Sequence, residues 1–548
     1  MFPAWDHGYY SRSAYTSGFY REMAPNWLDF AALLKRHTPP RTHEGEPFRY
    51  LELGSGVGFG LCLLAAAYPE GSFLGVDFHP DHISQAQGLI ERLGLSNITL
   101  LEADFLDLQR DPSPLGVQTG ALGPYDYVAA HGIATWVGEP VQEALLAVAA
   151  TALRPGGMFY CSYNTYPGWL ARTTFQKLFW LENERGDPAQ PGASFGAALS
   201  SLRALIGAEE APGPLGHALP GLRAELEWIA KENPDYLCGE YANAGWSPLY
   251  VADFHRRCAA HKLSPLGSAT LPEQFDELLA PSLHDVVLKE ANPLIRQTLI
   301  DLATNKAFRR DIFVKGHSPL THPEANRLLA NLSLQLLERR QNRSVDSEPA
   351  TDNPYVFATS FGQVVGDQSV YASVEEALTS GPQTLQALQQ RSGQPVGDLL
   401  LIIALLLHDG RIALDRGKAA RQAAPLAQRV NRQLGEGLAM GKSYGYLVLP
   451  QVGTCAEYSL VEYLLHQATT QGLEGAMLTS CVLMELTSLG VSLLGPDRQP
   501  ILEPDAQLAL LDELSERFSQ GRLPTLRRLG GLPLKVDVRS PSQKATMR

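Results

Sequence analysis

Cysteine is scarce and scattered. The six residues (Cys62, Cys161, Cys238, Cys258, Cys455 and Cys481) include no Cys-x-x-Cys pair. That excludes a zinc ribbon or a disulfide framework and fits reduced thiols in a cytosol. Positive charge is not in excess either. The formal net charge is −13, contrary to what sequence-independent binding to phosphates requires. Arg517, Arg527, Arg528, Lys535, Arg539, Lys544 and Arg548 make the C-terminus basic, but such a run reads as a solvated tail. No nucleic-acid partner is expected. The longest apolar run, "LLLIIALLL" at 399–407, is too short to span a bilayer, so no membrane span is expected. The opening "MFPAWDHGYYSRSAYTSGFYREM" has no basic region followed by an apolar one. A secretory leader is therefore not expected, and a cytoplasmic location is. What the chain has is length. Its 548 residues exceed one hydrophobic core, and roughly two to four domains are expected.

From about 47 to 165, short β-rich runs alternate with helical patterns. "RYLELG", "SFLGVD", "ITLLEAD", "YDYVAAHG" and "MFYCSYN" read as five strands. "GLCLLAAAYP", "PDHISQAQGLIERLGL" and "EPVQEALLAVAATALRPGG" read as helices with proline or glycine at their ends. Such alternation implies a parallel sheet covered on both faces, with right-handed crossovers. Residues 170 to about 340 read as mostly helical. "RRQNRSVDSEPATDNP" (339–354) is polar and turn-rich and reads as a linker. Beyond it, 373–414 gives helix, turn, helix, buried helix and short strand, the pattern of a small winged-helix unit.

The chemistry begins at "YLELGSGVGFG", residues 50–60. A glycine-rich loop after a strand lets backbone approach a nucleotide-like ligand. The dinucleotide spacing G-x-G-x-x-G fails, because it would need glycine at Phe59 or Leu61. Instead Glu52 precedes Gly54, Gly56 and Gly58. A carboxylate there repels a pyrophosphate but favours ammonium and sulfonium charge. Asp77 ends the second strand, about twenty residues on, where an acid accepts both ribose hydroxyls. Asp104 ends the third strand, near where an adenine amino group would lie. Any one acid alone reads as a helix cap. Three of them at successive strand ends after a glycine loop point to S-adenosylmethionine.

This set, with the "LRPGGMFY" turn before strand five, resembles the class I S-adenosylmethionine-dependent methyltransferases over about 47–165. The resemblance implies that Gly54, Gly56 and Gly58 pack on the methionine part, Asp77 holds the ribose and Asp104 lies near the adenine. The segments "HGIATWVGEP", "SYNTYPGW", "CGEYANAGWSPLYVADFHRRCAAHKLSPL" and "ATNKAFRRDIFVKG" resemble a bacterial subgroup that includes rickettsial protein-lysine methyltransferases. That subgroup joins the catalytic domain to a methyltransferase regulatory domain and a C-terminal winged-helix-like domain. The opening "YTSGFYREMAP" (15–25) matches a common form of the wider subgroup. The N-terminus and "GEYANAGW" depart from the rickettsial form, which leaves an outer-membrane substrate unassigned.

The expected architecture is therefore α/β: an aromatic N-terminal cap (1–46), a Rossmann-like class I methyltransferase core (47–170), a mostly helical regulatory domain (171–345) and a C-terminal α+β winged-helix-like domain (355–548). His131 sits where an acceptor approaches and reads either as a base, also touching the cofactor, or as a turn residue. Trp136 and Tyr163 read as aromatic walls for a methylammonium product or as core. Asn164 offers a carbonyl to an amine or finishes its strand. Tyr9, Tyr10, Tyr15, Phe19 and Tyr20 read as a lid or as packing. The expected acceptor is a lysine amine of a protein or peptide. A small metabolite stays open as an alternative, and so does a homodimer. No metal is expected.

Overall fold

The five sequence-derived strands form at the expected places because each carries an apolar-rich run between turn residues. They are β1 (Phe48–Leu53), β2 (Gly71–Asp77), β3 (Ile98–Glu102), β4 (Tyr125–Ala130) and β5 (Leu153–Asn164). The computed structural model describes residues 7–10, 17–118, 123–186, 191–232, 234–337, 353–496 and 499–534. Tyr15, most of the 339–354 linker and the basic residues from Lys535 onward lie outside the described residues.

All five strands are parallel, and the whole sheet runs β3-β2-β1-β4-β5-β7-β6. Its far edge comes from β6 (Leu263–Ser268) and β7 (Phe308–Lys315), with β7 antiparallel to both neighbours. The sheet therefore crosses the boundary drawn at residue 170. Periodicity did not reveal these two strands. β6, "LSPLGS", contains proline and glycine, and β7, "FRRDIFVK", carries three charges near its start. Two of those charges, Arg309 and Asp311, are neutralised inside the fold. Arg309 pairs with Asp301 and Asp311, and Asp311 also accepts from Tyr163 Oη at 2.5 Å and meets His255 Nε2 at 2.9 Å.

Helices α1 (Pro25–Leu34), α2 (Phe59–Ala67), α3 (Pro80–Leu93), α4 (Phe105–Arg110) and α5 (Glu139–Ala152) cover the sheet. β5 starts at Leu153, so the Pro-Gly-Gly segment expected as a turn belongs to an irregular strand start. The helices between 170 and 241 close over their own aromatic cluster of Phe175, Phe179, Phe195 and Tyr241.

C-terminally, helix Gln368–Thr379, strand Gln383–Thr384, helices Leu385–Ser392 and Val396–His408, and strand Ile412–Leu414 follow in the expected order. Both strands pair with Ser333–Leu336, which precedes the linker. The "LLLIIALLL" helix is buried at Leu399, Ile403, Leu405 and Leu406. No helix among the described residues is long and apolar enough to cross a membrane. One apolar core joins the sheet's α2 face to the C-terminal residues Ala427, Val430 and Leu434. Beside it Arg416 is wholly buried. It pairs with Glu70, bonds Glu44 at 2.9 Å, donates to the carbonyl of Ala67 and lies 3.9 Å over the ring of Tyr68.

Candidate functional site

The carboxyl edge of β1, β2, β3 and β4 opens into two adjoining cavities that share Gly54. The first is lined by Tyr9, Gly54, Asp77, Asp104, Phe105 and Ile133, among others. The second is lined by Phe19, Tyr20, Glu52, Gly54, Ser55 and His131, among others. The structure thus gathers the glycine loop and all three strand-end acids around one site. It is divided as an adenosyl half and an amino-acid half would need.

The loop geometry explains its glycines. Gly54 has φ +74°, and a β-carbon there would stand 2.5 Å from the Ile133 side chain. Gly56 and Gly58 also have positive φ, and Gly58 starts α2. That conformation is open to glycine and strained for branched residues. Asp77 organises the loop. It accepts from the backbone N–H of Gly56 at 2.8 Å and of His79 at 3.0 Å, and meets His82 Nδ1 at 3.1 Å. Asp104 caps α4 through the N–H of Leu106 at 2.7 Å, and its other oxygen meets His7 at 2.7 Å. His7, His79 and His82 carried no motif in the sequence and were missed there.

At the amino-acid end, Glu52 is held neutral by burial, with Asp77 adding to the effect, its pKa pushed up to about 8. Ser55 Oγ is buried without a hydrogen-bond partner. An orphaned hydroxyl and a desolvated carboxyl in one cavity fit the ammonium and carboxylate of an amino-acid moiety. The residues present therefore fit S-adenosylmethionine. Pairing Glu52 with an ammonium requires its carboxylate, so binding near neutral pH should release a proton. Affinity should rise roughly tenfold or more between about pH 6.5 and 8.5. Calorimetry in two buffers of different ionisation enthalpy reads the proton, and Glu52→Gln should remove the pH dependence. A flat profile in the wild type would contradict this role.

His131, expected on the acceptor side, lines the second cavity. Its ring stacks on Tyr20 with centroids 3.7 Å apart, and its Nδ1 meets Tyr160 Oη at 2.9 Å. Burial, helped by Arg310, lowers its pKa to about 3, so the imidazole is neutral. Asn164 donates from Nδ2 to Glu240 at 3.1 Å, and Trp136 also bonds Glu240. Tyr9 is raised well above the usual phenol value by burial, Asp77 and Glu240. Tyr10 N–H donates to Asn243 Oδ1 at 2.8 Å, and Ala244 N–H to the Gly8 carbonyl at 2.8 Å. Residues 8–10 therefore lie over the adenosyl half, tied to the 240–244 segment.

Tyr163 does not join this group, which corrects its assignment as an acceptor wall. Strand alternation sends it to the opposite face from Tyr160 and Asn164. There it packs on Phe254 at 4.3 Å and donates to Asp311. Glu240 was missed because a single acid in "CGEYAN" carries no local signal, and it reaches Asn164 only across 76 residues of chain. No cluster of metal-ligating side chains occurs among the described residues.

Residues 51–159 match the family described as "Methyltransferase domain" and residues 233–315 that described as "Predicted methyltransferase regulatory domain". An uncharacterized protein of Synechocystis is 28% identical over 96% of this chain and 99% of its own length. An uncharacterized protein of Rickettsia prowazekii is 25% identical over 64% of this chain and 61% of its own length. Among solved structures, PKMT2 from Rickettsia typhi in complex with AdoHcy aligns with a TM-score of 0.65 and 17% identity, covering 94% of this chain and 99% of that one. With the divided cavity and its glycine loop, these matches make the chain a class I S-adenosylmethionine-dependent methyltransferase carrying a methyltransferase regulatory domain.

Proposed function

We propose that the chain methylates lysine amines of a protein or peptide acceptor. The observation that carries this reading is the frame around the site. The 170–241 helices bring Glu240 to its acceptor side. C-terminal Tyr446 and Tyr444 reach Phe19 and Phe59 at its other end, with ring centroids 6.3 Å and 5.5 Å apart. Two accessory parts converging on one mouth suit an extended acceptor better than a small metabolite. The fold shared with PKMT2 along nearly the whole chain supports the same reading. In this proposal the 368–414 elements are a winged-helix-like docking unit.

S-adenosylmethionine supplies an electrophilic sulfonium methyl. The chain's residues position and desolvate the acceptor, which accounts for most of the rate such a transfer needs. Tyr20 and residues 8–10 exclude water, neutral His131 with Asn164 orients the incoming nitrogen, and Asp77 with the glycine loop fixes the other partner. Label transfer from methyl-labelled S-adenosylmethionine into host lysate tests the reading. Label is expected in the protein fraction, released by acid hydrolysis as methylated lysine. Label confined to small molecules, or to residues other than lysine, would overturn it.

A further inference from the structure

We propose that Glu240 is the group that receives the acceptor's ammonium and takes its proton, making the site selective for primary amines. The inference rests on the amine-methylating reading above and adds to it the residue that enforces it.

The argument is triangulation. The methyl group must lie where the two halves of the cavity meet, and Gly54 belongs to both. Tyr9 lines one half and Tyr20 the other. The Glu240 carboxylate is close enough to raise the phenol pKa values of both. Glu240 is also bonded by Asn164, from the end of β5, and by Trp136, from the loop after β4. These are the strand ends that frame the acceptor side. A carboxyl held by both strand ends, near enough to Tyr9 and Tyr20 to act on both phenols, stands beside the junction of the two halves.

Its placement follows from helix geometry. In helix Pro234–Tyr241, Leu237, Cys238 and Tyr241 are buried in the aromatic cluster. Position 240 lies on the flank of that stripe and is only partly buried. Asn243 then ends the helix by donating to the Gly239 carbonyl at 2.7 Å, which fixes the register.

The chemistry balances with this chain's groups. The ammonium gives one proton to the Glu240 carboxylate and becomes a neutral amine. The amine lone pair forms the C–N bond as the C–S bond breaks, with that electron pair staying on sulfur. The positive charge passes from sulfonium to the methylated nitrogen, and the proton on Glu240 leaves to solvent. Burial raises the pKa of Glu240, opposed by its bonds to Asn164 and Trp136 and by Arg172. The same desolvation lowers that of an amine, so the two proton affinities approach each other. Tyr9, Tyr20 and Arg172 are the titratable or charged groups that interact with it.

The test uses the full chain with S-adenosylhomocysteine bound and n-butylammonium as probe, followed by calorimetry. Wild type should bind the probe in preference to n-pentanol. Glu240→Gln should bind S-adenosylhomocysteine within about twofold of wild type but the probe at least tenfold more weakly. Glu240→Asp should recover part of the loss. In turnover on whichever acceptor takes label, Glu240→Gln should lower kcat and flatten the pH profile that Glu240→Asp retains. Equal probe affinity in wild type and Glu240→Gln, or no preference for the ammonium in wild type, would overturn the role of Glu240 even if lysine is methylated. Label on residues other than lysine would instead overturn the lysine reading whatever the probe shows. Should Glu240→Gln fail to fold, Asn164→Asp tests the same point by adding a second carboxylate beside Glu240. It should tighten probe binding, and weaker binding would count against the proposal.

Discussion

Replacing Asp77 with alanine should weaken S-adenosylmethionine binding at least about a hundredfold, measured by calorimetry on a folded protein. In the proposed site the carboxylate accepts two ribose hydroxyls, and hydrogen bonds to a charged group contribute roughly 1.5 to 3 kcal/mol each. The structure adds a second cost. Asp77 also holds the N–H of Gly56 and of His79, so its loss loosens the loop that faces the amino-acid half. Asp77→Asn keeps the shape and one acceptor oxygen, so it can serve the N–H of Gly56 or that of His79 but not both, and its loss should be smaller than that of alanine. Affinity within threefold of wild type in Asp77→Ala would remove this residue from the site, and binding of NAD by the wild type would undo the cofactor assignment itself.

Arg416→Ala should cost about 3 kcal/mol of stability, read as a lowered melting temperature and denaturant midpoint, because removing one partner of a buried ion pair strands the others. The group stranded outright is Glu70, whereas Glu44 keeps Arg41 at 3.5 Å. Arg416 also closes the C-terminal end of α2 through the Ala67 carbonyl, where a cation opposes the exposed carbonyls. The other end of α2 is Gly58 of the cofactor loop. S-adenosylhomocysteine should therefore bind more weakly as well, although Arg416 touches neither cavity. A point substitution is the sharper probe of this contact. A chain cut near residue 345 would leave Ser333–Leu336 without its strand partners and lay open the shared core. Unchanged melting in Arg416→Ala would show that this ion pair adds nothing to the hold between the two parts.

The cofactor half of the site was legible in the sequence because its determinants are local. Gly54, Gly56 and Gly58 sit in one loop, and Asp77 and Asp104 each close a strand whose apolar run is visible by itself. The acceptor half was legible only in part. His131, Trp136 and Asn164 lie at or after strand ends, where local sequence marks a candidate. Tyr163 also follows that rule, but one residue of strand alternation turns it into the opposite core. Glu240 and Arg310 come from distant segments, and nothing in their neighbours marks them. β7 escaped for a different reason: Arg309 and Asp311 read as solvent-facing charges until Asp301, His255 and Tyr163 are seen to neutralise them within the fold.

The segment matched as regulatory, 233–315, supplies both strands of the sheet's far edge. In β7 it also supplies the strand that covers β5. The segment is therefore not a detachable accessory. Without that segment, β5 would present an open row of backbone donors and acceptors to other chains. Glu240 and the neighbours that fasten residues 8–10 would be lost in the same stroke. A catalytic core carrying an unrelated segment in its place would keep its glycine loop but lose the strand that pairs with β5.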